Sequence, residues 1–99
     1  MAVNKKLRQA LEQCDYLVYA VILDNHAYDN SIVGATEDGR LVYDLDKMIA
    51  EYMQDEGCDL DEAVEWIEYN TLRAIPYMGE HRPIVIYDTA ERIMALYGD

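Results

Sequence analysis

Residues 44–76 constrain the fold more tightly than any other stretch, because they spell two amphipathic helices joined by a linker too short to let them part. Asp44 stands in the N-cap position ahead of Leu45, Met48, Ile49, Tyr52 and Met53, which recur at i, i+3, i+4, i+7 and i+8 and line one helix face. Gly57 then supplies the left-handed stop. Asp59 and Glu62 have capping-box spacing, and Leu60, Ala63, Val64, Ile67, Thr71, Ala74 and Ile75 form a second stripe that Pro76 terminates. Helices are predicted over 45–56 and 60–75, each with an apolar face that another element must cover.

The covering element reads as a small sheet. Ser31–Thr36 and Arg40–Tyr43 flank Glu37-Asp38-Gly39, where the glycine offers the positive φ of a tight hairpin. Two registers fit: a two-residue Asp38-Gly39 loop pairs Glu37 with Arg40, and a three-residue loop ending in Gly39 pairs Thr36 with Arg40. They bury opposite faces of a strand. Ile84–Tyr87 is a short apolar run that should join the hairpin, and Tyr16–Leu23, rich in β-branched and aromatic residues, reads as a further buried strand. Asp24–Asn30 reads as a loop whose Asx side chains bond their own backbone. Leu7, Leu11 and Cys14 have helical spacing behind Asn4 as cap, giving a helix over 4–14, and Asp88 with Glu91 opens a last helix over 89–97. The fold class is α+β: a mainly antiparallel sheet from hairpin 31–43, strand 84–87 and strand 16–23, with four helices packed on it, as a single domain over 1–99.

Composition narrows what such a domain can do. Over half of the 99 residues are apolar, enough for one core. The longest apolar run has eight residues, against roughly 20 needed to cross a bilayer core, and nothing resembling a signal cleavage site follows it. A cytoplasmic protein is expected. Cys14 and Cys58 lie far apart with no second pair at metal-ligand spacing, which fits reduced thiols. The formal net charge of −12 disfavours nucleic acid and anionic membrane as direct partners, since like charge removes the counterion-release contribution to affinity. A basic protein surface is the natural complement.

The negative charge is concentrated. Residues 44–68 hold ten carboxylates and one cation, Lys47. On the second helix Asp61, Glu65 and Glu68 fall at i, i+4 and i+7, a row with about 5–6 Å between neighbours. That interval is close to the phosphate spacing along one strand of a duplex carrying one charge per ~1.7 Å of axis over both strands. With Asp55, Asp59 and Glu62 they form a candidate partner-binding face that imitates a nucleic-acid backbone. A solvated acidic face that favours the helix macrodipoles accounts for the same residues. A calcium loop does not: counted from Asp55, the sixth position is Leu60 where glycine belongs, and the twelfth is Trp66 where a bidentate Glu belongs. No metal site and no cofactor are assigned.

No catalytic residue is assigned either. His26 and His81 lie in predicted loops near Asp24, Asp29 and Glu80, but no nucleophile elbow, phosphate-binding glycine loop or paired metal-ligand histidines complete a site. Aromatic usage is more telling, with nine Tyr, one Trp and no Phe, so nearly every large ring keeps a polar tip. Trp66, Tyr69, Asn70 and Arg73 share a second, semi-polar face of the acidic helix, and Trp66, Tyr69 and Arg73 have the chemistry of interface anchors. They serve equally well as rings packed under the 76–79 turn.

The segments Asp38-Gly-Arg-Leu-Val-Tyr-Asp-Leu-Asp-Lys-Met48 and Glu65-Trp-Ile-Glu-Tyr-Asn-Thr-Leu-Arg-Ala-Ile-Pro-Tyr-Met-Gly79 resemble short proteins of prophages and mobile elements of gut Firmicutes. The resemblance spans about residues 29–87. No activity is attached to that group, so it implies a genomic setting and an accessory role, and transfers no functional residue.

Together these features lead to a protein-binding accessory protein of phage or mobile-element type, with mimicry of DNA against a nuclease or other nucleic-acid-processing enzyme as the specific expectation. The rivals are a self-associating module that forms a homodimer through tyrosines and a sheet edge, and a carboxylate–histidine hydrolase or metal-binding protein.

Overall fold

The computed structural model describes residues 5–86 and residue 98. The expected helix over 89–97, the Asn4 cap and the Tyr87 end of the last strand lie outside the described residues. The fold is α+β. Helix α1 (Lys5–Glu12) leads through irregular chain and a 3₁₀ segment (His26–Ser31) into strands β1 (Ile32–Ala35) and β2 (Leu41–Asp44). Helices α2 (Leu45–Glu56) and α3 (Leu60–Trp66) follow, then a π-helical segment (Ile67–Leu72) and strand β3 (Ile84–Ile86). Among the described residues no helix is long and apolar enough to cross a membrane.

The sheet runs β1-β2-β3, with β1 antiparallel and β3 parallel to the central β2. It is thus mixed, since the helical excursion between β2 and β3 returns the chain to the same end. Of the two hairpin registers, the three-residue loop is the one formed. The Thr36 N–H donates to the Arg40 carbonyl at 2.8 Å, and Gly39, at φ 83°, donates to the Thr36 carbonyl at 3.1 Å. The Thr36 hydroxyl also donates to the Asp38 carboxylate, which tightens the loop and holds the Asp38 carboxyl below its usual range. A bulge at Val33 shifts the pairing from Ala35↔Leu41 and Gly34↔Val42 to Ile32↔Tyr43. With that register β2 turns Leu41 and Tyr43 into the core.

The expected strand over 16–23 is not formed. Asp15–Leu17 is a 3₁₀ turn and the chain beyond it is irregular. Successive bonds from the Leu17 N–H to Cys14 and from the Ala20 N–H to Leu17 give this stretch a three-residue step, which buries Leu17, Ala20 and Leu23 and exposes Val18 and Tyr19. Two further backbone donors find partners outside a ladder: the Val21 N–H bonds to the His81 carbonyl, and the Leu23 N–H to the Tyr43 hydroxyl at 3.0 Å. With those groups satisfied, β-propensity has no ladder to reward. The Asx expectation for the next stretch is met, because Asn25 caps the 3₁₀ segment by accepting from the Ala27 N–H at 3.0 Å.

Helix α2 follows its sequence signals closely. The Asp44 carboxylate accepts from the Lys47 N–H at 3.1 Å, Gly57 closes the helix at φ 66°, and Leu45, Met48 and Tyr52 are buried. Helix α3 starts as expected, with Asp59 accepting from the Glu62 N–H at 2.9 Å. It then departs from α geometry. From Ile67 the bonds run i→i+5, as in the 3.3 Å bond from the Arg73 N–H to the Glu68 carbonyl, and the Asn70 amide donates to the Trp66 carbonyl. The stripe expected from a continuous α-helix is accordingly altered. Ala63 and Ile67 are buried, Leu60 is exposed, and Leu72, which the expected stripe did not include, packs against the core beside Thr71, both half-buried.

Candidate functional site

The corner between α2 and α3 gathers carboxylates from both helices. Asp55 and Glu56 end α2, Asp59 caps α3 and Glu62 sits in its first turn; all four side chains are exposed. Their negative field acts on two groups between them. Burial pushes the Tyr52 hydroxyl above its usual range, and the fields of Glu56, Asp55 and Glu62 push it further. The Cys58 thiol is raised in the same way, by burial and then by Glu62, Asp59 and Glu56. The Gly57 stop turns the chain sharply enough to set the end of one acidic helix against the start of the next.

Trp66 and Tyr69 continue this surface. They are 46% and 68% exposed, so neither is packed away under the 76–79 turn. The Trp66 indole is stacked on Tyr52 at 5.9 Å between centroids and 19° between planes, which fixes an exposed ring from below. The Arg73 guanidinium lies 4.8 Å above the Tyr69 ring. Glu62, Glu65, Trp66, Tyr69 and Asn70 line an open cleft of about 400 Å³. Glu62 and Glu65 are therefore brought together with the aromatic pair, while Asp55 and Asp59 lie at the adjoining corner and Arg73 is already engaged with Tyr69. Asp61 and Glu68 are exposed and line neither this cleft nor the next.

A second cleft, of about 200 Å³, opens on the other side of Trp66 and Asn70. Leu23, Asp24, Asn25, Tyr28, Thr71 and Met78 complete it. The Tyr28 side chain is 2% exposed, yet its hydroxyl has no hydrogen-bond partner. Burial raises it above the usual tyrosine range, opposed by the neighbouring Thr71 and Asn25 side chains, which meet it without bonding geometry. Sequence reasoning named Trp66 as an interface anchor and Asp24 as a carboxylate near His26, but assigned Leu23, Asn25, Tyr28, Thr71 and Met78 to no site. The one legible signal was a lone Tyr28 among Asx residues; Thr71, assigned to the core stripe, is half-buried and forms part of the cleft wall.

Other candidate groups stay apart. His81 packs against the Tyr19 ring, 6.2 Å between centroids, and Cys14 and Cys58 are free thiols. Among the described residues no group of three His, Cys, Asp or Glu side chains is arranged to hold a metal ion. No protein-family model, curated protein or solved structure matches this chain.

Proposed function

We propose that this chain is an acidic protein-binding accessory protein of phage or mobile-element type, whose α2–α3 corner occupies a basic protein surface in place of nucleic acid. The observation that carries the proposal is the gathering of four exposed carboxylates, Asp55, Glu56, Asp59 and Glu62, at the end of α2 and the start of α3, with Glu65, Trp66 and Tyr69 adjoining. Carboxylates gathered at one corner repel one another in the free protein, and a cationic partner relieves that repulsion. Trp66, held by Tyr52, and Tyr69, held by Arg73, add pre-ordered apolar area with little side-chain entropy left to lose. Asp61 and Glu68 extend the negative field without touching the clefts. A nuclease or other nucleic-acid-processing enzyme, with a groove built for regularly spaced phosphates, has the complementary chemistry.

The test is affinity capture from a host lysate with stepwise salt elution, followed by competition of the captured protein with duplex DNA. A nucleic-acid-processing enzyme that elutes early in the salt series, is displaced by DNA and is lost with the pair Glu62→Lys and Glu65→Lys is the expected result. A captured protein indifferent to DNA and salt overturns the proposal. So does a salt-insensitive homodimer in sedimentation that buries Trp66.

A further inference from the structure

Resting on the reading of a basic protein partner, we infer that the cleft behind Trp66 is an anchor site for one arginine side chain of that partner. Acceptor chemistry dominates its lining. Asp24 contributes a carboxylate, Asn70 has its amide nitrogen committed to the Trp66 carbonyl and keeps its oxygen free of that bond, and Thr71 and Tyr28 contribute hydroxyls. No lysine or arginine lines it. Leu23, Met78 and the Trp66 indole form apolar walls. A guanidinium is the cation that needs all of these at once, since it is planar, carries five donors in a fixed fork, is weakly hydrated and lies flat on aromatic faces. An ammonium is a point charge with a firmly held hydration shell and makes poorer use of an indole wall.

Two further observations favour this occupant. The Tyr28 hydroxyl is buried without a hydrogen-bond partner in a residue that lines the cleft, beside the Thr71 and Asn25 side chains, and a donor seated in the cleft with a small adjustment of that ring would satisfy it. The protein also places a guanidinium on a ring of the same helical segment, Arg73 on Tyr69. That pair uses the Tyr69 ring internally and leaves Trp66, 46% exposed, as the aromatic group open to an external cation.

Trp66 is the only tryptophan in the chain, so its fluorescence reports on the cleft directly. The experiment titrates the full chain with a capped Gly-Arg-Gly peptide, and with the same peptide carrying lysine or the neutral isostere citrulline, at about 0.15 M salt to screen the wider acidic surface. A saturable response to the arginine peptide is expected, about tenfold weaker for lysine and absent for citrulline. Asp24→Asn and Tyr28→Phe should each weaken the arginine peptide several-fold at unchanged thermal stability, whereas the pair Glu62→Lys and Glu65→Lys should leave it nearly unaltered. A linear response, equal binding of lysine and arginine, or loss of binding only with the Glu62 and Glu65 changes overturns the anchor site. In that last case capture of the partner persists through Asp24→Asn, and the acidic-surface proposal survives alone; if the peptide binds as expected and no nucleic-acid-processing enzyme is captured, the DNA-mimic proposal falls and the arginine cleft stands.

Discussion

Tyr43 and Tyr28 are both almost fully buried, at 0% and 2% exposure, and their hydroxyls meet opposite fates. In the core beneath β2, the Tyr43 oxygen accepts the Leu23 N–H and thereby satisfies a backbone donor in a segment that has no strand to do so. At the 3₁₀ segment, Tyr28 buries its ring equally well and leaves its hydroxyl open. Ser31, at the end of the same segment, is also fully buried with an unpartnered oxygen. One region has its tyrosine hydroxyl closed by a backbone donor, and the other keeps two buried hydroxyls unpartnered, one of them in a residue that lines a cleft. The difference separates scaffold from site in a way that burial alone does not.

The alkaline limb of stability tests the closed region most strongly. Burial raises the Tyr43 hydroxyl from 10.0 to about 12. Below pH 10 both folded and unfolded chains hold this proton, so its contribution is complete. Between pH 10 and about 12 the unfolded chain releases it first, and stability falls by roughly 2–3 kcal/mol from this group. Urea unfolding at stepped pH, compared between the wild type and Tyr43→Phe, should show the slope flattening in the variant; parallel slopes would mean that Tyr43 is not the titrating group. At neutral pH the same Tyr43→Phe change strands the Leu23 N–H and should cost about 1–3 kcal/mol.

The wall between the two regions is checked by the pair Leu72→Ala and Thr71→Ala. Because the π register sends Leu72 to the core, its truncation should cost about 1–2 kcal/mol, less than for a fully buried leucine, while Thr71→Ala should stay within about 0.5 kcal/mol. Reversed magnitudes would restore the plain α-helix. The smallest effect belongs to the open region: Tyr28→Phe removes a hydroxyl that bonds to nothing and should shift stability by no more than about 0.5 kcal/mol, in the stabilising direction. A loss comparable to that of Tyr43→Phe would erase the contrast.

The parts of the fold that were legible are those carried by local signals. Asp44, Gly57 and Asp59 mark helix ends because each satisfies backbone groups within a few residues of itself. The 31–43 hairpin was legible for the same reason, and its register was not, since Asp38-Gly39 chemistry suits either loop. Of the site, the acidic corner and the Trp66, Tyr69 and Arg73 face could be located from spacing. The cleft could not, because its lining joins residues 23–28 to 66–78 through packing.

Sequence alone therefore determined the α+β class, the two capped helices and the placement of a dense negative charge at their junction, all consequences of periodicity and capping within one or two turns. Tertiary structure decided the rest. The backbone donors of Val21 and Leu23 are taken by His81 and Tyr43, which removes the expected strand over 16–23. A π turn after Trp66 interrupts the α-helix expected to run to residue 75 and brings Leu72 against the core. The lost strand in particular depends on groups far apart in the chain meeting the same backbone donors, and that meeting is settled only when the core closes.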